Sequence, residues 1–321
     1  MEQNQDQASE SKRSPRFKTD NKPKPRKKNL VSNILIVVGV VLLLVAAGIY
    51  LYNANNYRKI DEGNERVAAT YAKLTEDPGL PPTVDWEALK AMNPDVVGWL
   101  EIPNTVVNYP VFQGPDNDYY LERAPDGSDS IGGAVFLDYE NTAPGLVDSQ
   151  TIIYGHHMRN GSQFKQIADM DKQELFDGVS TVWYVTEQGA FKLSPLFLFY
   201  TTETDTEVRQ FQFDSPDQYH AYLNTYLGKA VTKRADAEQL IGVLSRTFAL
   251  STCNYYDGYG RTILVCALTS EIPGTPEYEA MQAARAQAEA EAQAAAAAQE
   301  QAPQEAEQEV PQGEEQPAEE G

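Results

Sequence analysis

The longest stretch without a charged residue runs from Asn29 to Tyr57 and contains about twenty nearly continuous apolar residues, NILIVVGVVLLLVAAGIYLY. A helix of about this length spans the hydrocarbon core of a bilayer. A basic cluster ends at Lys28 just before the run, and Tyr50 and Tyr52 lie at its far end, as interfacial residues do. No obvious small-residue cleavage site follows it. We therefore predict an uncleaved transmembrane helix over residues 30–52 rather than a signal peptide.

The positive-inside rule places the basic arm, residues 1–29, in the cytoplasm and everything after the anchor outside the cell. Residues 53–80 are predicted to form a helical stalk that is broken at Pro78-Gly79. Residues 81–275 are predicted to form one folded domain. Residues 276–321 form a tail rich in Ala, Gln, Glu and Pro, and we expect it to be solvated and partly helical to disordered.

Charge is distributed unevenly along the chain, whose formal net charge is −21. Residues 1–28 carry nine Lys or Arg and four Asp or Glu, whereas residues 276–321 carry twelve Asp or Glu and one Arg. The segment between them is therefore also strongly acidic. Because phosphate binding requires a basic surface, we do not expect this domain to bind nucleic acid.

Short apolar runs alternate with turn residues from Val96 onward. They are rich in Val, Ile, Tyr, Phe and Thr and are bounded by Gly, Pro, Asn or Asp, as strands are. The eight runs are VVGWLEI, VVNYPVFQ, GGAVFLDY, QTIIYGHH, STVWYVT, AFKLSPLFLFYTT, TFALSTCNY and RTILVCAL. Eight strands with few helices predict a closed β-barrel or a sandwich.

Helical patches are predicted before and between these strands. Asp85 can cap a helix that ends at Asn93-Pro94, and a second helix is expected over residues 170–178. A third covers residues 215–230, with Ser215 as N-cap and Pro216 in the first position. Its aromatic and aliphatic stripe is assigned to core packing rather than to ligand binding, and consists of Tyr219, Tyr222, Leu223 and Tyr226.

Three histidines are the only imidazoles in the chain. His156 and His157 end a predicted strand where it meets a loop, and loops at barrel rims often carry functional residues. Neighbouring strand residues point to opposite faces, so the pair does not readily chelate a metal ion, and no metal site is predicted. His220 falls in the third helix and is expected at the surface.

Two cysteines, Cys253 and Cys266, lie in the last two predicted strands. Outside the cell a disulfide is the default expectation. Strand alternation argues against it, because if Arg261 points at Cys253 then Cys266 points away from both. Cys266 is then a small core residue. Cys253 is either a second buried thiol or a nucleophile whose pKa is lowered by a neighbouring cation, and spacing alone leaves both interpretations open.

The motifs YGHHM followed by GSQF, LSTC, and an arginine opening the next strand together resemble the sortases. The stretch from VDWEALKAMNPDVVGWLEI to GGAVFLDYEN, and an insertion with a helix at residues 203–232, resemble the class B sortases in particular. The resemblance covers residues 82–270. Two features depart from the family pattern: the loop from cysteine to arginine is short, and His157 stands where the family often has Asn.

The resemblance implies a fold and a chemistry. The fold would be an eight-stranded sortase-type β-barrel with added helices, preceded by the single transmembrane helix. The enzyme would be a membrane-anchored cysteine transpeptidase of a Gram-positive bacterium. Cys253 would attack the carbonyl of a Thr in a C-terminal sorting signal and form a thioacyl enzyme. His156 would protonate the leaving amine and deprotonate the incoming one, and Arg261 would stabilise the oxyanion.

The same resemblance implies the partners. These would be secreted proteins bearing a sorting signal of the Asn-Pro-x-Thr-x or Leu-Pro-x-Thr-x type, and an amine of peptidoglycan or of its lipid-linked precursor. No metal or organic cofactor is implied. The residues next to the thiol are the predicted peptide contacts, namely Ser251, Thr252 and Asn254.

Three alternatives remain open from the sequence. An exported cysteine protease would use the same residues and transfer the acyl group to water. A pilus-type sortase usually carries an N-terminal lid with an aromatic residue after Asp-Pro, whereas Asp77-Pro78 is followed here by Gly79. A membrane-tethered adhesin or scaffold would retain its function in a Cys253→Ala variant.

Overall fold

The computed structural model describes residues 30–254 and 260–305, without the side chains of Cys253, Asn254 and residues 298–305. The predictions for the basic arm, the Cys-to-Arg loop and the end of the tail concern residues outside this part of the chain. The described α-helices are α1 (Leu30–Tyr71), α2 (Trp86–Met92), α3 (Lys165–Ala168), α4 (Gln173–Asp177), α5 (Pro216–Leu227), α6 (Ala237–Ile241) and α7 (Pro276–Glu305). Short 3₁₀ helices cover Asp169–Asp171, Thr206–Arg209 and Thr269–Glu271.

The strands follow one another closely through the middle of the chain. They are β1 (Ala72–Lys73), β2 (Thr83–Val84), β3 (Val96–Glu101), β4 (Asn108–Phe112), β5 (Val135–Leu137), β6 (Gln150–Tyr154), β7 (Val182–Thr186), β8 (Gly189–Thr202), β9 (Ala230–Lys233), β10 (Thr247–Asn254) and β11 (Gly260–Leu268). Each of the eight predicted runs overlaps one of the strands β3–β8, β10 and β11, and each of these strands lies within its run to within one residue.

The main sheet closes on itself. Its strand order is β11-β10-β6-β5-β4-β3-β7-β8-β9, and β11 also pairs with β8. Eight strands therefore form a closed barrel, and β9 extends the sheet beyond β8. This confirms the predicted eight-stranded barrel. The neighbours β4–β5 and β6–β10 are parallel, and the other adjacent strands in the barrel are antiparallel.

Alternate residues of the strands supply separate apolar clusters. Phe248 and Leu250 of β10 belong to the largest cluster, together with Leu264 and Cys266 of β11. Ala249 belongs to a second cluster, into which the apolar faces of α5 and α6 pack. A third cluster joins α2 to β3–β5 and to the last turns of α1. The period of two along each strand thus separates the interior of the barrel from its covered outer face.

Helix α5 has the predicted cap and the predicted buried stripe. Ser215 accepts a hydrogen bond from the backbone of Gln218, and Pro216 occupies the first turn. Tyr219, Leu223 and Tyr226 are buried, and the partly buried Tyr222 packs against the same cluster. The stripe therefore serves packing, as predicted.

The segment before the barrel differs in one respect from the predicted stalk. Helix α1 ends at Tyr71, and the backbone carbonyl of Tyr71 accepts from Asp85. Ala72–Lys73 then pairs antiparallel with Thr83–Val84, so the chain reverses around the turn at Pro78-Gly79 instead of continuing as a helix to it. Asp85 caps α2, as predicted, by accepting from the backbone of Ala88.

The described residues divide into two compact units at Ala54. The first unit holds the beginning of α1, which is the one described helix long and apolar enough to cross a membrane. Nothing covers this apolar surface within the described residues. The second unit holds the barrel and also α7, which is exposed along residues 279–297.

Candidate active site

The predicted catalytic residues lie at one end of the barrel, two of them on paired strands and the third just past the end of a strand. Strand β6 runs parallel to β10, and their pairing ends with Tyr154 opposite Ser251. His156 and Cys253 each follow two residues after this last pair, and the N–H of Gly155 still donates to the carbonyl of Ser251. On the other side of β10, Cys253 lies directly opposite Arg261 of β11. Adjacent strands are about 4.8 Å apart. The backbone therefore brings His156, Cys253 and Arg261 together although 97 residues separate the first two in sequence.

His156 lies just past the end of β6 and is held at both its backbone and its ring. Its backbone N–H donates to Oε1 of Gln163 at 2.8 Å. Its ring Nε2 lies 2.7 Å from the backbone carbonyl oxygen of Leu121. Since a carbonyl only accepts, Nε2 carries the proton of this hydrogen bond. Nδ1 is then the ring atom that can gain and lose a proton.

The other two histidines have different surroundings. His157 is half-buried and forms an isolated bridge with Gln163. His220 is half-buried as well, with Nε2 at 3.0 Å from the carbonyl of Leu244, and so it is less exposed than predicted. Helix α5, which carries His220, packs on α6, and this packing brings the imidazole ring close to Leu244 in the loop after α6.

Arg261 is partly exposed, with 30% of its side chain accessible. Its Nη2 donates to Glu203 Oε1 at 3.3 Å, and Glu203 lies one residue beyond the end of β8. On β8, Thr201 lies opposite Arg261. The guanidinium therefore extends from the same end of the barrel as His156, where its fixed positive charge and planar donors can bind a developing oxyanion.

Cys266 is a free, fully buried thiol of the barrel interior. Burial raises the pKa of this thiol well above its ordinary value, which removes the reactive thiolate. The sequence argument against a disulfide and for a core role of Cys266 is therefore confirmed. The backbone of Cys253 lies two residues beyond the buried Ser251, at the exit of β10 from the barrel.

The predicted peptide contacts have contrasting environments. Ser251 and Thr252 are each 2% exposed, so a direct contact with a peptide requires that they become accessible. The backbone carbonyl of Ser251 accepts from Gly155, which fixes β10 against the turn before His156. The side chain of Asn254 lies outside the described part of the chain. Among the described residues, no group of three or more His, Cys, Asp or Glu could hold a metal ion.

A buried charge cluster next to this end of the barrel was not predicted. Asp138 is fully buried. Its Oδ2 accepts a hydrogen bond from Nε of Arg209 at 2.8 Å, and its Oδ1 accepts one from Nη2 of Arg209 at 2.9 Å. Tyr154 Oη and Asn117 Nδ2 donate to the same carboxylate at 2.9 and 3.0 Å. Burial, followed by the charge of Asp138, raises the pKa of Tyr154 above its ordinary value, so Tyr154 remains a neutral donor.

The partners of this cluster explain why sequence reasoning missed it. Arg209 lies in the 3₁₀ helix of the insertion after β8, and 71 residues separate it from Asp138. No local spacing links the two. The only available signal was Asp138 itself, a charged residue directly after the apolar run AVFL. The bidentate pair ties the insertion to the outer face of β5 and β6.

Comparisons with known proteins identify relatives of this chain. A family model described as a Sortase domain matches residues 100–269. Sortase B of Listeria monocytogenes is 30% identical over 236 residues, which cover 72% of this chain and 92% of that protein. Sortase B of Staphylococcus aureus is 25% identical over 236 residues, which cover 73% of this chain and 91% of that protein.

Solved structures give the same result. Sortase B from Bacillus anthracis matches with a TM-score of 0.56 and 27% identity, over 66% of this chain and 97% of that chain. Sortase B from Clostridium perfringens matches with a TM-score of 0.52 and 30% identity, over 57% of this chain and 98% of that chain. The fold and the matched sequence define a cysteine transpeptidase. The chain belongs to the sortase family, in its class B.

Proposed function

We propose that this protein is a membrane-anchored transpeptidase that cleaves a C-terminal sorting signal after its Thr and joins the cleaved protein to a cell-wall amine. The observation that carries the proposal is the strand pairing, in which Cys253 lies opposite Arg261 on one side of β10, and the parallel strand β6 ends on the other side two residues before His156. This arrangement supports Cys253 as the nucleophile, His156 as the proton carrier and Arg261 as the cation.

The proposed reaction has two acyl-transfer steps. The thiolate of Cys253 attacks the carbonyl carbon of the Thr, and the carbonyl oxygen becomes an oxyanion that Arg261 stabilises. The C–N bond then breaks as His156 protonates the leaving amine, which leaves a thioester on the enzyme. An incoming amine attacks the thioester and gives its proton to His156. The new amide bond forms as the C–S bond breaks, which releases the Cys253 thiolate beside the protonated imidazole.

The substrates follow from the class of the enzyme. The first is a secreted protein with a signal of the Asn-Pro-x-Thr-x or Leu-Pro-x-Thr-x type, and the second is an amine of peptidoglycan or its lipid-linked precursor. Ser251, Thr252 and Asn254 are the proposed peptide contacts on β10. Because Ser251 and Thr252 are buried, their contact with the peptide requires that its binding uncovers them.

An anchor in the cell membrane places the enzyme where both substrates occur. The proposed span is residues 30–52, with the basic arm in the cytoplasm and the barrel outside. Support comes from the apolar composition of the first half of α1, which lies directly after the cluster of Lys and Arg. This arrangement is typical of a single-pass protein in a Gram-positive bacterium.

The test uses the full chain in detergent micelles and a panel of fluorogenic peptides with the two kinds of signal, each with and without an amine acceptor. Mass spectrometry reads the cleavage position, the thioacyl adduct and the ligated product. Cys253→Ala is the test variant, and Cys266→Ala is the matched control because it removes the other thiol. Cleavage after Thr, an adduct on Cys253 and ligation by the parent and by Cys266→Ala would support the proposal.

The other outcomes contradict it in distinct ways. Cleavage without ligation under any acceptor would identify a protease that transfers the acyl group to water. Full activity of Cys253→Ala would exclude this thiol as the nucleophile. Absence of cleavage and of an adduct across the panel would contradict the proposed substrate class.

A further inference from the structure

Gln163, in the loop after the two histidines, combines burial with an unusual backbone. The residue is 1% exposed, and its φ of 50° lies in the left-handed region. A residue with a side chain, other than Asn or Asp, adopts this region at an energetic cost. Such strain persists where the surrounding structure holds the residue firmly, so the partners of Gln163 explain why it is tolerated.

Those partners use both ends of the amide group and the backbone. Oε1 of Gln163 accepts from the backbone N–H of His156 at 2.8 Å. Nε2 donates to the backbone carbonyl of Gly132. The backbone N–H of Gln163 donates to the hydroxyl of Tyr109 at 3.0 Å. A buried amide satisfied in this way links the histidine loop to the turn at Gly132.

The turn at Gly132 also borders the group that holds the ring of His156. A Cβ at Gly133 would approach the backbone carbonyl oxygens of Tyr120 and Leu121 to 2.5 Å, so this turn packs tightly on that segment. The carbonyl of Leu121 lies 2.7 Å from Nε2 of His156. Gln163 therefore connects the backbone of His156 to the same segment that holds its ring.

We infer that Gln163 is a positioning residue for His156, and that its amide fixes the histidine backbone relative to the Leu121 carbonyl. The inference rests on the proposed function, in which His156 carries the proton. Gln163 has no part in the chemistry itself. It sets where the imidazole stands, and a displacement of about 1 Å in a catalytic group can cost about a hundredfold in rate.

The decisive variant is Gln163→Asn. Asparagine tolerates the left-handed backbone better than glutamine does, so the fold is preserved, but its amide is one methylene too short to bridge His156 and Gly132. We expect kcat on a sorting-signal peptide to fall about tenfold to a hundredfold, with KM changed by less than about threefold. The variant should remain folded, with a melting temperature lowered by a few degrees at most, because relief of the left-handed backbone offsets part of the two lost hydrogen bonds.

Gln166→Asn is the matched control. It shortens a glutamine three residues further along, whose Oε1 accepts from the backbone of Val106 at 2.9 Å and is not bonded to His156. Its kcat should stay within about twofold of the parent. Gln163→Glu provides a graded test, because it keeps an acceptor for His156 but sets a carboxylate oxygen against the Gly132 carbonyl. We expect its kcat to lie between those of the parent and Gln163→Asn.

A readout without substrate separates this inference from the proposed function. With ¹⁵N-labelled histidine, the ring signals of His156 are assigned by their loss in His156→Gln. Gln163→Asn should shift these signals, and Gln166→Asn should leave them in place. Shifted signals in a protein whose parent cleaves no peptide would support the positioning role and contradict the proposed function. Unmoved His156 signals, or a kcat of Gln163→Asn within twofold of the parent, would overturn the inference.

Discussion

Gly155 lies against the face of Phe164, so closely that a Cβ at position 155 would stand 2.7 to 2.9 Å from three atoms of the ring. Phe164 is fully buried and follows the strained Gln163. The glycine of YGHH and the phenylalanine of GSQF are therefore one packing unit. Together they fold the histidine loop back onto the end of β6.

Gly155→Ala tests this unit. The added methyl group must displace a buried ring, and overpacking of this kind costs about 1–3 kcal/mol in the free energy of unfolding. Chemical denaturation measures the loss, and peptide cleavage should fall with it because His156 is the next residue. Gly242→Ala is the control, since a Cβ there would meet its nearest atom at 3.6 Å. Equal stability of both variants would refute the packing argument.

Arg209→Ala should destabilise the domain by about 2–4 kcal/mol, because it leaves the buried carboxylate of Asp138 without its bidentate partner. Denaturation at neutral pH provides the measurement. Lys233→Ala removes one member of an exposed ion pair with Glu238, and its effect should stay within about 0.5 kcal/mol. A loss for Arg209→Ala as small as that of the control would mean that solvent replaces the guanidinium.

The buried carboxyl group of Glu101 should make the free energy of unfolding depend on pH. Burial raises the pKa of this carboxyl from 4.5 to about 7 in the folded protein. Between these two values the unfolded chain releases the proton while the folded chain keeps it, so stability falls as the pH rises from 4.5 to 7. Glu101→Gln lacks the charge and should be more stable than the parent by about 1–3 kcal/mol at pH 8, with little difference at pH 4.5.

Urea denaturation of the parent and of Glu101→Gln at these two pH values measures the difference. Glu289→Gln, at an exposed position of α7, should show no such pH-dependent gain. A gain for Glu101→Gln that is larger at pH 4.5 than at pH 8 would reverse the expected sign and contradict the burial of this carboxyl.

The thiol of Cys266 should be inaccessible to reagents in the folded protein. In a Cys253→Ala variant, the remaining thiol is fully buried and its pKa is raised, so a thiol reagent should not label it in native buffer. One equivalent should react after unfolding in guanidinium chloride. Labelling of the parent under the same native conditions then reports Cys253 alone. Rapid native labelling of the variant would show that β11 opens readily.

Much of the barrel could be predicted from the sequence because its strands are short, β-branched and separated by turn residues. The alternation of Phe248, Ala249 and Leu250 between two clusters is a purely local property. The same holds for the cap at Ser215. The pairing of Cys253 with Arg261 could be predicted for a related reason. The two residues are only eight positions apart, and they lie opposite each other on two consecutive antiparallel strands.

Other parts of the site depend on contacts that no local pattern records. The hydrogen bond of His156 goes to a backbone carbonyl, and every residue has one, so nothing in the sequence singles out Leu121. The left-handed backbone of Gln163 is unexpected for a glutamine. The parallel pairing of β6 with β10 is similarly non-local, and the sequence showed only that each ends near a candidate residue.

That parallel pairing has a consequence for folding of the chain during its synthesis. The strands that bring His156 beside Cys253 are separated by residues 155–246, and β8 and α5 lie in that interval. Contacts of such large sequence separation carry a higher entropic cost of loop closure than local contacts do. A nascent chain that has emerged only as far as α5 holds the histidine but neither the thiol nor the arginine. Completion of the proposed site therefore requires both of the last two barrel strands.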